Sequence, residues 1–169
     1  MTEPTRVSYV LAIEPSSRGL CFAAFDEERN LLDWGGFEAR LRKNQLCRQK
    51  ARSLTRGFQP KYLVLEDGDA PTSTRKRRIR ELLRTIGQDA ADDGMTVSRI
   101  PRLWVRQRFT VFGISSKDDI ATAVCSMYPE LATRLPKKRQ PWESEHYSLA
   151  LFEAVALGVT FFQKRHRSA

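Results

Sequence analysis

The chain has 169 residues, enough for one domain of ordinary size with a substantial core. Hydrophobic residues make up 41% and charged residues 29%, which excludes a disordered or fibrous chain. No apolar run approaches the roughly 20 residues that cross a bilayer, and the net charge of +9 points to a polyanionic partner.

The segment after Met1, "TEPTRVSY", lacks a secretory apolar region, so the expected location is the cytoplasm, with no membrane role. Cys21, Cys47 and Cys125 are widely spaced with no CxxC pair, against a disulfide framework or a structural zinc site.

In chain order, residues 7–14 alternate, with Val7, Tyr9, Leu11 and Ile13 on one side and Val10, Ala12 and Glu14 on the other. This predicts a strand that delivers Glu14 at its C-terminal end. "LCFAAFDEERN" and "LLDWGGFE" predict a hairpin, so the chain opens with a three-strand meander. The spacing of Leu46, Ala51 and Leu54 predicts a short basic helix over about 43–57, ended by Gly57 and Pro60.

"KYLVLED" is too continuously apolar for a half-exposed strand and is expected at the centre of the sheet, with Glu66 at its end. Ser73 or Thr74 is the expected cap of a helix reaching about Asp93, with Ile79, Leu82, Leu83 and Ile86 inward. "GMTVSRIP" predicts a fifth strand. "RLWVRQRFTVFGIS" reads as irregular, and Ser116 is expected to cap a helix over 117–127. A connection with two prolines leads to a last helix over about 144–162, with Leu149, Phe152, Val155 and Ala156 buried.

The order is an α/β pattern: a central mixed five-stranded sheet, the meander plus two parallel strands, flanked by helices in a single domain over 1–169. If the first and fourth strands are parallel neighbours, Glu14 and Glu66 emerge at one sheet end, where ligands of open α/β sheets bind. Glu143 and His146 lie three apart at the expected start of the last helix, on one face of it.

Carboxylates gathered in a basic protein call for a cation. Magnesium suits them because it prefers carboxylate oxygens and keeps positions for water and phosphate. Two such ions can activate a water and steady the leaving oxygen in phosphodiester cleavage. His146 would ligate an ion or handle the proton. Each residue also has a plainer reading: Glu14 as a strand end, Glu66 and Asp67 as a turn, Glu143 as a helix N-terminal acid, His146 as a satisfied, partly buried histidine.

Basic residues recur in "RLRKNQLCRQKARSLTRG", "STRKRRIRELLR", "RIPRLWVRQRF", "LPKKRQP" and "QKRHR". One such run can be a solvated helix face; together they favour nucleic acid. Trp104, Phe109 and Phe112 could stack on bases or pack inside.

These residues resemble the RuvC family of Holliday-junction resolvases, within the ribonuclease H-like superfamily. "VLAIEPSSRG" is similar to the family's opening strand, with Glu14 at its aspartate and Ser16 at a glycine. "LVLED" is similar to the fourth strand, with Glu66 at the catalytic glutamate. In "VRQRFTVFGISSKDDIATAV", Gly113 and Lys117 match a glycine and a lysine, and Arg108 falls on a basic position near the scissile phosphate. "ESEHYSLALFEA" is similar to the closing helix, with Glu143 and His146 on its two acids and Glu145 as an alternative third acid.

The resemblance implies a ribonuclease H-like fold, Mg²⁺ or Mn²⁺ on Glu14, Glu66, Glu143 and His146, and cleavage of branched DNA by a homodimer. Lys117 and Arg108 would face the scissile phosphate, and Arg75, Lys76, Arg77 and Arg78 would hold a DNA arm. A glutamate in the aspartate's place also leaves open a weak or inactive DNA-binding module. An RNA-directed nuclease of the same superfamily is a third expectation.

Overall fold

The computed structural model describes residues 7–110, 113, 116–137, 139–144 and 146–168, Ser168 without its side chain; Phe112 and Glu145 lie outside the described residues. Five strands form one sheet: β1 (Val10–Pro15), β2 (Gly19–Phe25), β3 (Leu31–Glu38), β4 (Tyr62–Glu66) and β5 (Thr96–Ile100). Their order is β3-β2-β1-β4-β5, antiparallel within the meander and parallel from β1 through β4 to β5. The continuously apolar β1 and β4 are the central pair, and their core residues are fully buried.

Two helix layers cover the sheet. On one face, α1 (Lys43–Phe58) and α2 (Arg77–Asp92) pack Cys47, Ala51, Leu54, Ile79, Leu82 and Ile86 against Leu11, Ile13, Leu63 and Leu65. On the other lie α3 (Arg102–Thr110), α4 (Lys117–Met127) and α5 (Leu149–Ser168), with a 3-10 segment at Pro129–Arg134. α5 is buried almost all round as far as Phe162. Gly158 lets it close on the sheet, since a Cβ there would stand 2.4 Å from the Phe25 ring.

Four expectations need correction. Residues 102–110 are helical, although Leu103, Val105 and Phe109 do not keep a clean helical stripe. Tertiary contacts hold α3 instead: Phe109 enters the core, Val105 packs against it, and Lys164 of α5 sits 4.8 Å from the Trp104 ring centre. The last helix begins at Leu149 rather than near Ser144, so Glu143 and His146 precede it and share no helix face. Neither Ser73 nor Thr74 caps α2; Lys76 is its N-cap residue and Ser73 Oγ accepts from the Arg75 N–H. Of the two described aromatics offered for base stacking, Phe109 is instead buried at 1% exposure, while Trp104 stays 43% exposed beside Lys164.

The Ser116 cap on α4 forms as expected, its hydroxyl accepting from the Asp119 N–H at 3.1 Å. Among the described residues, no helix is long and apolar enough to cross a membrane.

Candidate acidic site at the end of the parallel strands

The β1–β4 register pairs Ile13 with Leu65. One residue further, Glu14 and Glu66 leave the sheet side by side and point to the face that α5 covers. Both are buried, at 2% and 3% exposure. A third carboxylate reaches them from α5: Glu153, on its second turn.

Two arginines bridge the acids. Arg102, at the first position of α3, places Nε 2.9 Å from Glu66 Oε1. Its Nη2 stands 3.2 Å from Glu14 Oε1 and 3.0 Å from Glu153 Oε2. Arg75, in the loop before α2, donates Nε to Glu66 Oε2 at 2.8 Å and Nη2 to Glu14 Oε1. Lys117, at the start of α4, stands 3.3 Å from Glu153 Oε1. Three acids therefore meet three cations in a site withdrawn from water. Burial pushes the Glu66 carboxyl above its usual value; Arg102 pulls it back, and the neighbouring Glu153 charge raises it again.

Other residues singled out in the sequence fall elsewhere. Glu143 is exposed in a turn, where its carboxylate accepts from the Gln140 N–H at 3.0 Å. The cavity at Glu14 and Glu66 is lined instead by Arg102, Lys117 and Glu153. His146 lies at the mouth of the cleft with Arg75, Lys117 and Glu153. Its Nδ1 accepts the Ser148 N–H at 3.2 Å and lies 2.8 Å from Ser148 Oγ.

Arg108 lies six residues beyond Arg102 on α3, a little under two helical turns. There it lines a separate cavity with Phe109, Gly113 and Asp119. Lys76 and Arg77 are exposed, Arg77 pairing with Glu81 at 2.9 Å. Arg78 turns inward, donating to Asn44 Oδ1 and to the Ser16 carbonyl. Arg75, expected on a DNA arm, instead lies among the acids.

The residues missed in the sequence are Glu153 and Arg102. The signal for Glu153 was a lone acid inside the apolar run "LALFEAVALG": an isolated carboxylate on a core helix is costly unless it is paired. Arg102 follows the end of β5, where Ile100 pairs with Glu66, so it was bound to emerge beside that acid.

Glu14, Glu66 and Glu153 carry the carboxylate oxygens that hard divalent ions take, and all three meet one cationic group. That group is the Arg102 guanidinium. Among the described residues, no three acidic, histidine or cysteine side chains are grouped as ligands for an ion.

No family model and no curated protein matches the sequence. Among solved structures, RuvC of Thermus thermophilus is similar with a TM-score of 0.66 and 16% identity, covering 93% of this chain and 95% of that one. T. thermophilus RuvC in complex with a Holliday junction substrate is similar with a TM-score of 0.63 and 15% identity, covering 93% and 94%. With its β3-β2-β1-β4-β5 sheet and flanking helices, this chain has the ribonuclease H-like fold of the RuvC structures.

Proposed function

We propose that this chain is a RuvC-like, divalent-metal-dependent endonuclease that cleaves branched DNA of the Holliday-junction kind and acts as a homodimer. The observation that carries this reading is the convergence of Glu14, Glu66 and Glu153 at the C-terminal end of the central parallel pair. It stands in a fold shared with a protein seen in complex with a Holliday junction substrate. Glu14, Glu66 and Glu153 would hold Mg²⁺ or Mn²⁺, which when bound supplies Lewis acidity toward a phosphodiester.

The chain's own residues provide the rest. Lys117 stands at the cleft, placed to neutralise charge on the phosphate presented to the acids. Arg75 and Arg102, once drawn off the carboxylates, are long enough to turn toward the same phosphate. His146, its Nδ1 engaged with Ser148, offers Nε2 at the mouth for proton transfer. Lys76 and Arg77 point outward from the start of α2, where a duplex arm would pass.

One observation favours a second reading, a DNA-binding module without cleavage: two arginines and a lysine already neutralise the three acids, with no ion required. The test is purified protein on a synthetic four-way junction with Mg²⁺ or Mn²⁺, and Glu66→Gln as control. Cleavage that disappears in the variant supports the enzyme. Binding without cutting in either metal supports the module. Equal affinity for junction, linear duplex and RNA hairpin would sink the branched-DNA assignment.

A further inference from the structure

Beside the acids, the sheet face under α5 carries a row of shrinking side chains. Glu14 pairs with Cys21 on β2, and Cys21 with Gly36 on the edge strand β3, so all three point the same way. Gly36 has no side chain to fill the end of this row; a Cβ there would stand 3.4 Å from Cys21 Sγ. The result is a trough of about 380 Å³, lined by Ser16, Arg18, Cys21, Gly36, Arg134 and Tyr147 among others. That is within the roughly 300–1,000 Å³ typical of ligand sites. Through Ser16, Arg18 and Tyr147 it adjoins a second cavity of about 280 Å³ that reaches Arg75, Lys117 and Glu153. That second cavity in turn shares Lys117 and Glu153 with the one at Glu14 and Glu66.

The lining has a consistent chemistry. Burial pushes the Cys21 thiol up to about 11, so the floor is uncharged. Tyr147 forms one wall, its ring stacked on His146 at 4.4 Å and carrying the Arg18 guanidinium 4.7 Å from its centre. Glu38, 3.7 Å from Arg18, offsets that cation at the rim. An uncharged floor and an aromatic wall suit a base, and Arg134, a second cation on the lining, suits the phosphate that such a base carries.

We propose that the trough receives one unpaired nucleotide of the branched DNA, its base taking the place of Arg18 on the Tyr147 ring, beside the phosphate presented to Glu14, Glu66 and Glu153. This assignment rests on the nuclease reading above and names the strand feature that the site selects.

The test places 2-aminopurine in turn at each branch-point position of a four-way junction and follows its fluorescence on binding in EDTA. Wild type should quench one position. Tyr147→Ala and Gly36→Leu should each abolish that quench and weaken junction binding about 5- to 100-fold, the scale of one base stack removed; Tyr147→Phe should keep both. Quenching unchanged in Tyr147→Ala and Gly36→Leu, with the junction still bound and cut, overturns the trough alone. Failure of wild type to bind the junction overturns the nuclease reading and the trough with it.

Discussion

Two buried glutamates side by side would raise each other's proton affinity, and here a single guanidinium answers both of them together with Glu153. If these three form the working site, Glu153→Gln should slow junction cleavage by at least about 10²-fold, the scale of removing one charge-stabilising group. Glu143→Gln should stay within about twofold, because that carboxylate serves only a local turn. Single-turnover cleavage rates check the contrast; the reverse order would return the third acid to Glu143. Arg102→Met should destabilise the protein by about 3–5 kcal/mol, as breaking a buried pair does. Without Arg102 the Glu66 carboxyl rises further. A carboxyl raised in the folded state contributes stability at acid pH, and that contribution is lost as pH rises through its folded pKa. The melting deficit of Arg102→Met should therefore grow as pH rises above the ordinary carboxylate range, and shrink when Mg²⁺ is added.

At the scale of elements, α1 and α2 are pinned together across the outer face by Asp89. Arg48 reaches it with two bonds of 2.7 and 2.8 Å, and Arg52 adds a third at 3.1 Å. The bond from Arg48 leads in holding the Asp89 carboxyl below its ordinary 3.8, with partial burial opposing it. Such a group contributes stability above its unfolded pKa and loses it as pH falls through the folded one. Asp89→Asn should cost about 1–3 kcal/mol in urea unfolding at neutral pH. The difference from wild type should vanish in acid, below the ordinary aspartate range. The strands were legible because alternation and continuous apolarity are local signals, visible in "YVLAIE" and "YLVLE". Helix α3 was not, because its order comes from the acids and from α5, partners distant in the chain.

At the scale of the molecule, the charge of +9 is not spread evenly around the site. Arg75 and Arg102 are spent inward on acids, while Lys76 and Arg77 remain exposed at the start of α2. Phosphate contacts position DNA without reading its sequence. The double substitution Lys76→Ala, Arg77→Ala should weaken junction and linear duplex alike. It should also flatten the slope of log K against log salt by about two, near one for each phosphate no longer neutralised. Fluorescence anisotropy across a KCl series measures this. A weakening confined to the junction would assign these residues to branch recognition instead.

By itself the sequence determined the strand order of the meander, the buried central pair and the two acids that end it. Each of these follows from side-chain period along one segment and from the rule that parallel neighbours present their ends together. The partners of those acids were decided by tertiary structure. The register of α5 against the sheet brings in Glu153 rather than Glu143, and the exit of β5 beside β4 brings in Arg102. No local spacing carries that information, because it depends on where distant segments stop and how closely they pack.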